Sequence, residues 1–329
     1  MKIVRRRGGG PEQQDELRDL GLGSKVAEES PARFLNKDGT FTVRRKGLGV
    51  FRSLSVYHWL LTMSWTRYLL LLICFYFLIN TVFAFAYFLC GPESFQGVVE
   101  SASHGWAIDA FFFSVQTVAT IGYGRINPVS LTANVLVTVE SLVGMLGLAL
   151  GTGILFARFS RPSARILFSH NAIVAPYRGI TAFEFRIANE RSNQLIEVNV
   201  TLTLSRFETE NSRRARRFHL LPLERKSVTF FPLNWTIVHP IDESSPLYGI
   251  TQQELHESDA EFLVLITAID ETFSQTVHAR SSYKPNEVIW GAKFSNMFHT
   301  SDGMLTVNLQ RIHDVEPASQ LHSPVRPAQ

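Results

Sequence analysis

The sequence predicts an α-helical membrane domain with two spans, followed by an all-β sandwich domain. Three observations predict it. Two long apolar blocks, Tyr68 to Leu89 and Leu131 to Ala157, each exceed the ~20 residues needed to cross a hydrocarbon core. A stretch from Leu195 to Leu204 alternates, with Ile196, Val198, Val200, Leu202 and Leu204 on one face opposite Glu197, Asn199, Thr201 and Thr203, the period of a half-buried strand. Between the two blocks lies the string Thr120-Ile121-Gly122-Tyr123-Gly124.

Length and charge bound the rest. A chain of 329 residues has room for about two or three domains at ~100–200 residues each. The net charge of +3 is mild and does not argue for nucleic acid. The basic start, Lys2, Arg5, Arg6 and Arg7, runs into glycines and acids with no apolar region behind it, so no signal peptide is expected. Cys74 lies inside the first block and Cys90 at its end, too far apart along a helix to pair. Arg44, Arg45, Lys46, Arg52 and Arg67 precede the first span and Arg158, Arg161 and Arg165 follow the second. Positive-inside placement therefore puts both termini in the cytoplasm.

In chain order, residues 1–40 mix charge with Gly, Pro and Ser without period and are expected to form a disordered tail. Residues 41–67 hold a cytoplasmic segment and an amphipathic helix from Leu54 to Ser64, with Leu54, Tyr57, Leu60 and Leu61 on one face. Such a helix suits the inner membrane surface; the alternative is that it forms the first turns of a longer span. Residues 68–160 form the two-span domain. Its first span has bulky side chains with Asn80 as the polar exception, as expected of an outer, lipid-facing helix. Cys90 to Gly105 reads as an outer turret. Trp106 to Thr117 is then a helix too short to span, with Phe111, Phe112 and Phe113 packing it into the protein. The second span carries Gly144, Gly147, Gly151 and Gly153, as closely packed or bending helices do.

The filter string follows from ion chemistry. A dehydrated cation needs a cage of oxygens, and backbone carbonyls supply it when they turn to a common axis. Gly122 and Gly124 reach the φ values this demands, and the Thr120 hydroxyl adds an oxygen ring. Thr120, Ile121, Gly122, Tyr123 and Gly124 are thus the expected potassium site, with permeant K+ as the only ion and no cofactor. One chain supplies one wall, so a homotetramer is implied.

On the second span a spacing of four places Gly144, Leu148, Thr152 and Phe156 on one face, the expected pore lining, with Phe156 a constriction able to close by dewetting. Ordinary helix packing is the competing reading for Leu148 and Thr152. Glu140 is the carboxylate of this span, and an intramembrane ionisable group is a functional candidate; with Arg125 it is expected to support the filter from behind.

Residues 161–313 switch to β composition. Ala182 to Asn189, Leu195 to Leu204 and Glu261 to Ile269 are strands, separated by turn-rich pieces such as Asp242 to Pro246, and together they suggest a sandwich. Residues 314–329 are expected to be disordered. Arg213, Arg214, Arg216 and Arg217 form a basic run that reads as a solvated loop. The ten histidines show no H-x-x-x-H spacing, and no nucleophile elbow or P-loop occurs, so no enzyme chemistry is expected.

These residues resemble a known family, the inward-rectifier potassium channels of the bacterial KirBac type. The likeness rests on the filter, on Phe156-Ala157-Arg158-Phe159-Ser160-Arg161-Pro162, on Trp235 to Gly249, on Ala279 to Tyr283 and on Glu287 to Gly291, and spans about residues 40 to 312. The resemblance implies a homotetramer with a slide helix, an immunoglobulin-like cytoplasmic domain that extends the pore, and gating that couples lipid headgroups and cytoplasmic-domain movement to the inner-helix gate. It implies anionic-lipid contact at Arg158 and Arg161, where plain positive-inside anchoring is the alternative, and a plasma (inner) membrane location. Asp270 to Thr276 falls where the family narrows the cytoplasmic pore. Leu148 stands where strong rectifiers carry an acid, Arg125 where many potassium channels have Asp, and Gln116 where eukaryotic members have Glu. Two other functions compete with a potassium channel: a membrane-anchored sensor or scaffold with a silent pore, and a nonselective cation channel.

Overall fold

The computed structural model describes residues 33–42, 56–98, 105–160, 164–191, 193–210, 213–231, 234–301 and 304–318. The chain forms two compact units, one of residues 45–161 and one joining residues 1–44 to 162–329.

In the first unit, α1 (Val56–Thr62) stops where Ser64 starts a new helix. The Ser64 hydroxyl accepts from the Arg67 amide and so satisfies one of the free donors at that end. The α1 segment is therefore a separate helix and not the first turns of the span; Leu54 and Ser55 lie outside the described residues. The span itself, α2 (Trp65–Cys90), has 26 residues, about 39 Å at ~1.5 Å per residue. Most of its surface presents exposed Leu, Ile and Phe side chains, and only Tyr68, Asn80, Ala84 and Tyr87 are buried. Gly91 at φ +76 closes it.

Helix α3 (Gly105–Val118) has 14 residues, about 21 Å, too short to cross ~30 Å of hydrocarbon. Of the three consecutive phenylalanines expected to anchor it, only Phe113 is buried; Phe112 is exposed, because neighbours in sequence point ~100° apart on a helix. Phe113 packs edge-on to Tyr87 and Phe95, with centroids at 5.1 and 5.4 Å. Helix α4 (Leu131–Phe159) has 29 residues and is capped by the Ser130 hydroxyl. A two-stranded ribbon, β1 (Phe95–Gln96) with β2 (Asn127–Pro128), ties the segment after α2 to the segment before α4.

In the second unit, β3 (Ile166–Phe168), β4 (Ala172–Tyr177) and β5 (Ile180–Asn189) begin one sheet. Strands β6 (Leu195–Glu210), β7 (Arg213–Leu220) and β8 (Ser227–Phe231) belong to the other, and β9 (Asn234–Ile241) returns to the first. After a short helix α5 (Gln252–Glu257) come β10 (Glu261–Asp270), β11 (Gln275–Tyr283) and β12 (Val288–Trp290). The small pairs β13 (Ala292–Phe294) with β16 (Val315–Pro317), and β14 (Phe298–Ser301) with β15 (Met304–Val307), complete it. One sheet runs β11-β10-β6-β7 with β8 beside β6; the other runs β12-β4-β5-β3 with β9 beside β5. Phe183, Phe185 and Ile187 of β5 interleave with Val198, Val200, Leu202 and Leu204 of β6 and with Phe262, Val264 and Ile266 of β10 in one buried core. This is the expected sandwich.

Four expectations need correction here. The alternation of β6 breaks at its start: Leu195, not Ile196, is buried. Glu197 has φ +50 and the β6–β10 register shifts opposite it. A bulge inserts one residue and swaps the faces. The basic run expected as a loop is strand β7, with Arg216 buried between the rings of Phe207 and Phe34.

Residues 33–40, expected to belong to a disordered tail, pack on the sandwich. The Phe34 and Leu35 amides donate to the buried Glu261 carboxylate at 3.0 and 3.1 Å. Arg33 forks onto Glu287 at 3.0 and 3.1 Å. Residues 315–317, likewise expected to be disordered, are strand β16. Long-range partners supply the order that local composition does not. The rest of both tails lies outside the described residues.

Candidate ion-conduction site

The filter string occupies the turn where α3 ends. The amide of Thr120 donates to the Thr117 carbonyl at 3.1 Å and that of Ile121 to the Gln116 carbonyl at 2.8 Å. The entering amides are thus satisfied inside the last turn of the helix. Thr120, Gly122 and Gly124 have φ of +57°, +59° and +77°, while Ile121 and Tyr123 stay out of the left-handed region. Alternating hand between successive residues turns successive peptide units the same way, so their carbonyl oxygens share one side. Glycine adopts the left-handed half freely. Thr120 is β-branched, and its positive φ is held at a cost. The Asn127 side-chain amide donates to the Gly124 carbonyl at 2.9 Å and pins the far end.

A buried polar cluster joins the three helices around this turn. Glu140 of α4 accepts from the Tyr87 hydroxyl of α2 on one oxygen and from the Ser114 hydroxyl of α3 on the other. Asn80 stands 3.2 Å from Ser114 and itself donates to the Tyr76 carbonyl at 2.7 Å. Glu140, Tyr87, Ser114 and Asn80 are all fully buried.

Arg125 does not join Glu140 as expected. Its guanidinium pairs with Asp109, a buried carboxylate on the second turn of α3. The two residues expected to act together lie in separate clusters, one bracing α3 through Ser114 and one through Asp109. The signal for Asp109 was present in the sequence as an ionisable residue within a short apolar helix. Gly97 is a second omission: at φ +89, a Cβ there would sit 1.7 Å from the Arg125 carbonyl. Only glycine allows that approach.

Of the four residues expected to line a pore, Leu148, Thr152 and Phe156 are exposed in the subunit, with Leu148 at 75% and Phe156 at 72%. Gly144 is not: it is buried against the end of α3, where a Cβ would meet the Val118 carbonyl at 3.0 Å and its Cα at 3.2 Å. Spacing alone does not separate a lining position from a close helix crossing. An apolar cleft of ≈ 870 Å³ opens beside this helix, lined by Leu72, Phe75 and Tyr76 of α2, by Leu148 and Thr152 of α4, and by Thr120.

Arg158 was expected at a lipid headgroup. It is 9% exposed, and its guanidinium donates to the Leu60 and Met63 carbonyls at the end of α1, the latter at 2.7 Å. The same group lies over the rings of Trp65 and Tyr68, 4.7 Å from each centroid. It is a cap on the negative end of α1 and is already engaged within the protein. Arg161 lies outside the described residues.

With this geometry in place, comparison with known proteins is decisive. A family model described as an ion channel matches residues 57–161, and one described as the inward rectifier potassium channel C-terminal domain matches residues 166–328. The chain is 44% identical over 296 residues to the inward rectifier potassium channel Kirbac3.1 of Paramagnetospirillum magnetotacticum, covering 89% of this chain and 98% of that protein. The chain belongs to the inward-rectifier potassium channel family. Animal members are more distant. Identity is 32% over 225 residues to inward rectifier potassium channel 18 of Homo sapiens and 31% over 225 residues to ATP-sensitive inward rectifier potassium channel 12 of Mus musculus. The chain spans about half the length of those two, 51% of each. As a family member it is a membrane channel and not an enzyme, with both long helices, α2 and α4, apolar and long enough to span.

Proposed function

We propose that four copies of this chain surround one axis and conduct K+ passively and selectively through the Thr120–Gly124 carbonyls. The observation that carries this reading is the alternation of hand at Thr120, Gly122 and Gly124, which gives each subunit one row of inward carbonyl oxygens; a closed cage requires several such rows. The open apolar cleft beside α4 is consistent with a neighbouring copy, which would cover its lining at Leu148 and Thr152. Phe156, exposed near the end of α4, is the proposed gate by ring constriction and dewetting. Glu140 and Arg125 are proposed to hold α3, and through it the filter, each from its own cluster. Basic residues on the flanks of both spans favour cytoplasmic termini in the plasma (inner) membrane.

Anionic lipids are the proposed modulators, acting on the basic flanks by charge. Because Arg158 is engaged with α1, its effect on gating is proposed to run through that helix and not through a headgroup. The test is flux from purified protein in liposomes with anionic lipid varied: potassium flux far above sodium flux, blocked by barium, is expected. Equal sodium and potassium flux, or no flux in any lipid, would overturn it, and cross-linking that stops at a dimer would overturn the tetramer.

A further inference from the structure

Two histidines far apart in sequence lie face to face on the sandwich. His170, in the turn between β3 and β4, and His313, at the end of the 3₁₀ turn Leu309–His313, stack with centroids 3.5 Å apart and planes 3° from parallel. The His170 amide donates to Nδ1 of His313 at 3.1 Å. A backbone N–H can only donate, so Nδ1 must hold a lone pair and His313 must be neutral with its proton on Nε2.

The contact sits where the segments 33–42 and 309–317 meet the sandwich. From the N-terminal strap, Lys37 donates to the His170 carbonyl and pairs with Glu287 at 3.3 Å. On the other side, Ile312 is fully buried against Ala188 and Met297. The Ser295 amide donates to the Asp314 carbonyl at 3.0 Å, and β16 then pairs with β13.

We propose that the His170–His313 pair is an acid-released latch that holds the segment Leu309–Pro317 against the sandwich. Protonation puts a hydrogen on Nδ1 where the His170 N–H already points, so the bond is lost and two donors face one another. It also places a cation against a second imidazole at stacking distance. The charged and titratable groups facing the pair are Lys37 and its partner Glu287 from the strap and β12 side, Tyr283 from β11, whose ring lies under Lys37, and Asp314 with its partner Arg311 from the same turn. Burial, His170 and Lys37 together hold His313 below the ordinary histidine value, against the opposing pull of Asp314.

The latch is read without reference to conduction, by hydrogen exchange of the full chain in detergent micelles. Between pH 7.5 and pH 5.5, after correction for intrinsic rates, exchange of peptides covering 309–317 should rise about fivefold to tenfold, the loss of one net hydrogen bond. His313→Asn, whose Oδ1 can take the place of Nδ1 without titrating, should stay protected at both pH values. His313→Ala should exchange fast at both. His170→Phe keeps the stack and the amide and should retain the rise. A wild-type chain with no pH effect, an Asn variant with the full rise, or an Ala variant as protected as the wild type would each overturn the latch.

Discussion

The guanidinium of Arg158 lies 4.7 Å from the Trp65 ring while closing the end of α1 through the Leu60 and Met63 carbonyls. One side chain at the end of α4 thereby fixes the corner between α1 and α2. Hydrogen bonds to a charged group are worth ~1.5–3 kcal/mol and a desolvated cation–π contact ~2 kcal/mol. Arg158→Ala should therefore lower the unfolding midpoint of the detergent-solubilised channel. Arg158→Lys keeps the charge but not the fork that reaches two carbonyls, and should recover only part of the loss. Full recovery by Lys in lipid-free detergent would show that charge alone matters and would remove the capping role.

Glu140 makes a different prediction from its neighbours. Its two oxygens each satisfy a buried hydroxyl, and a stranded buried hydroxyl costs ~1–3 kcal/mol. Glu140→Ala strands both Tyr87 and Ser114. Glu140→Gln leaves an acceptor for one hydroxyl and a donor for the other, which can accept in turn. Thermal unfolding should rank wild type and Gln close together and Ala far below, and Tyr87→Phe combined with Glu140→Ala should be less than additive. Equal damage from Gln and Ala would mean that the carboxylate charge, not the hydrogen bonds, is what α3 depends on.

Gly144 and Gly147 lie one helical turn apart and should behave oppositely. A Cβ at Gly144 meets only backbone and the Val118 side chain, within 3.4 Å, and backbone cannot step aside. Overpacking of this kind costs ~1–3 kcal/mol, and because Val118 leads directly into the filter, potassium flux should fall with it. A Cβ at Gly147 would meet no atom of the described residues within 4 Å beyond its own helix backbone, so Gly147→Ala should be neutral or gain up to ~1 kcal/mol of helix propensity. Paired flux and melting measurements on the two variants check this; a Gly147→Ala loss equal to that of Gly144→Ala would place a neighbouring subunit against that turn.

What was legible in the sequence is what depends on local period and length. The two spans, the short helix between them and the filter string are local facts, and the structure places α2, α3 and α4 within a few residues of expectation. What was not legible is pairing at a distance. Arg125 and Glu140 are each conspicuous charges near the filter string, which invites pairing them, but Arg125 pairs with Asp109 of α3. Glu261 reads as one charge at the start of a strand; only the fold shows it accepting two amides from residues 34 and 35. The bulge at Glu197 is invisible because alternation within a strand carries no mark of an extra residue.

The sandwich should show two opposed pH dependences. Glu184 is buried on β5, and burial raises its carboxyl to about 7. Its folded value lies above its unfolded value near 4.5. The folded state then holds the proton longer, so its contribution is present at acid pH and is lost as pH rises through that window. His239 has the reverse sign, which His313 shares. Burial holds His239 below 6.5, with Nδ1 against the Pro222 carbonyl at 2.6 Å and Nε2 against the Ser245 hydroxyl at 2.7 Å. The unfolded chain takes up that proton first, so stability is lost as pH falls below 6.5. Between the two the wild-type profile should be shallow. Glu184→Gln removes the first dependence, on the order of 1–3 kcal/mol, and should leave the histidine dependence bare, with stability falling on acidification below about pH 6.5. Urea titration of the full chain, followed by hydrogen exchange of peptides from β5 and β9, measures both profiles; a Gln variant that parallels the wild type across this range would show that Glu184 is already ionised in the folded sandwich.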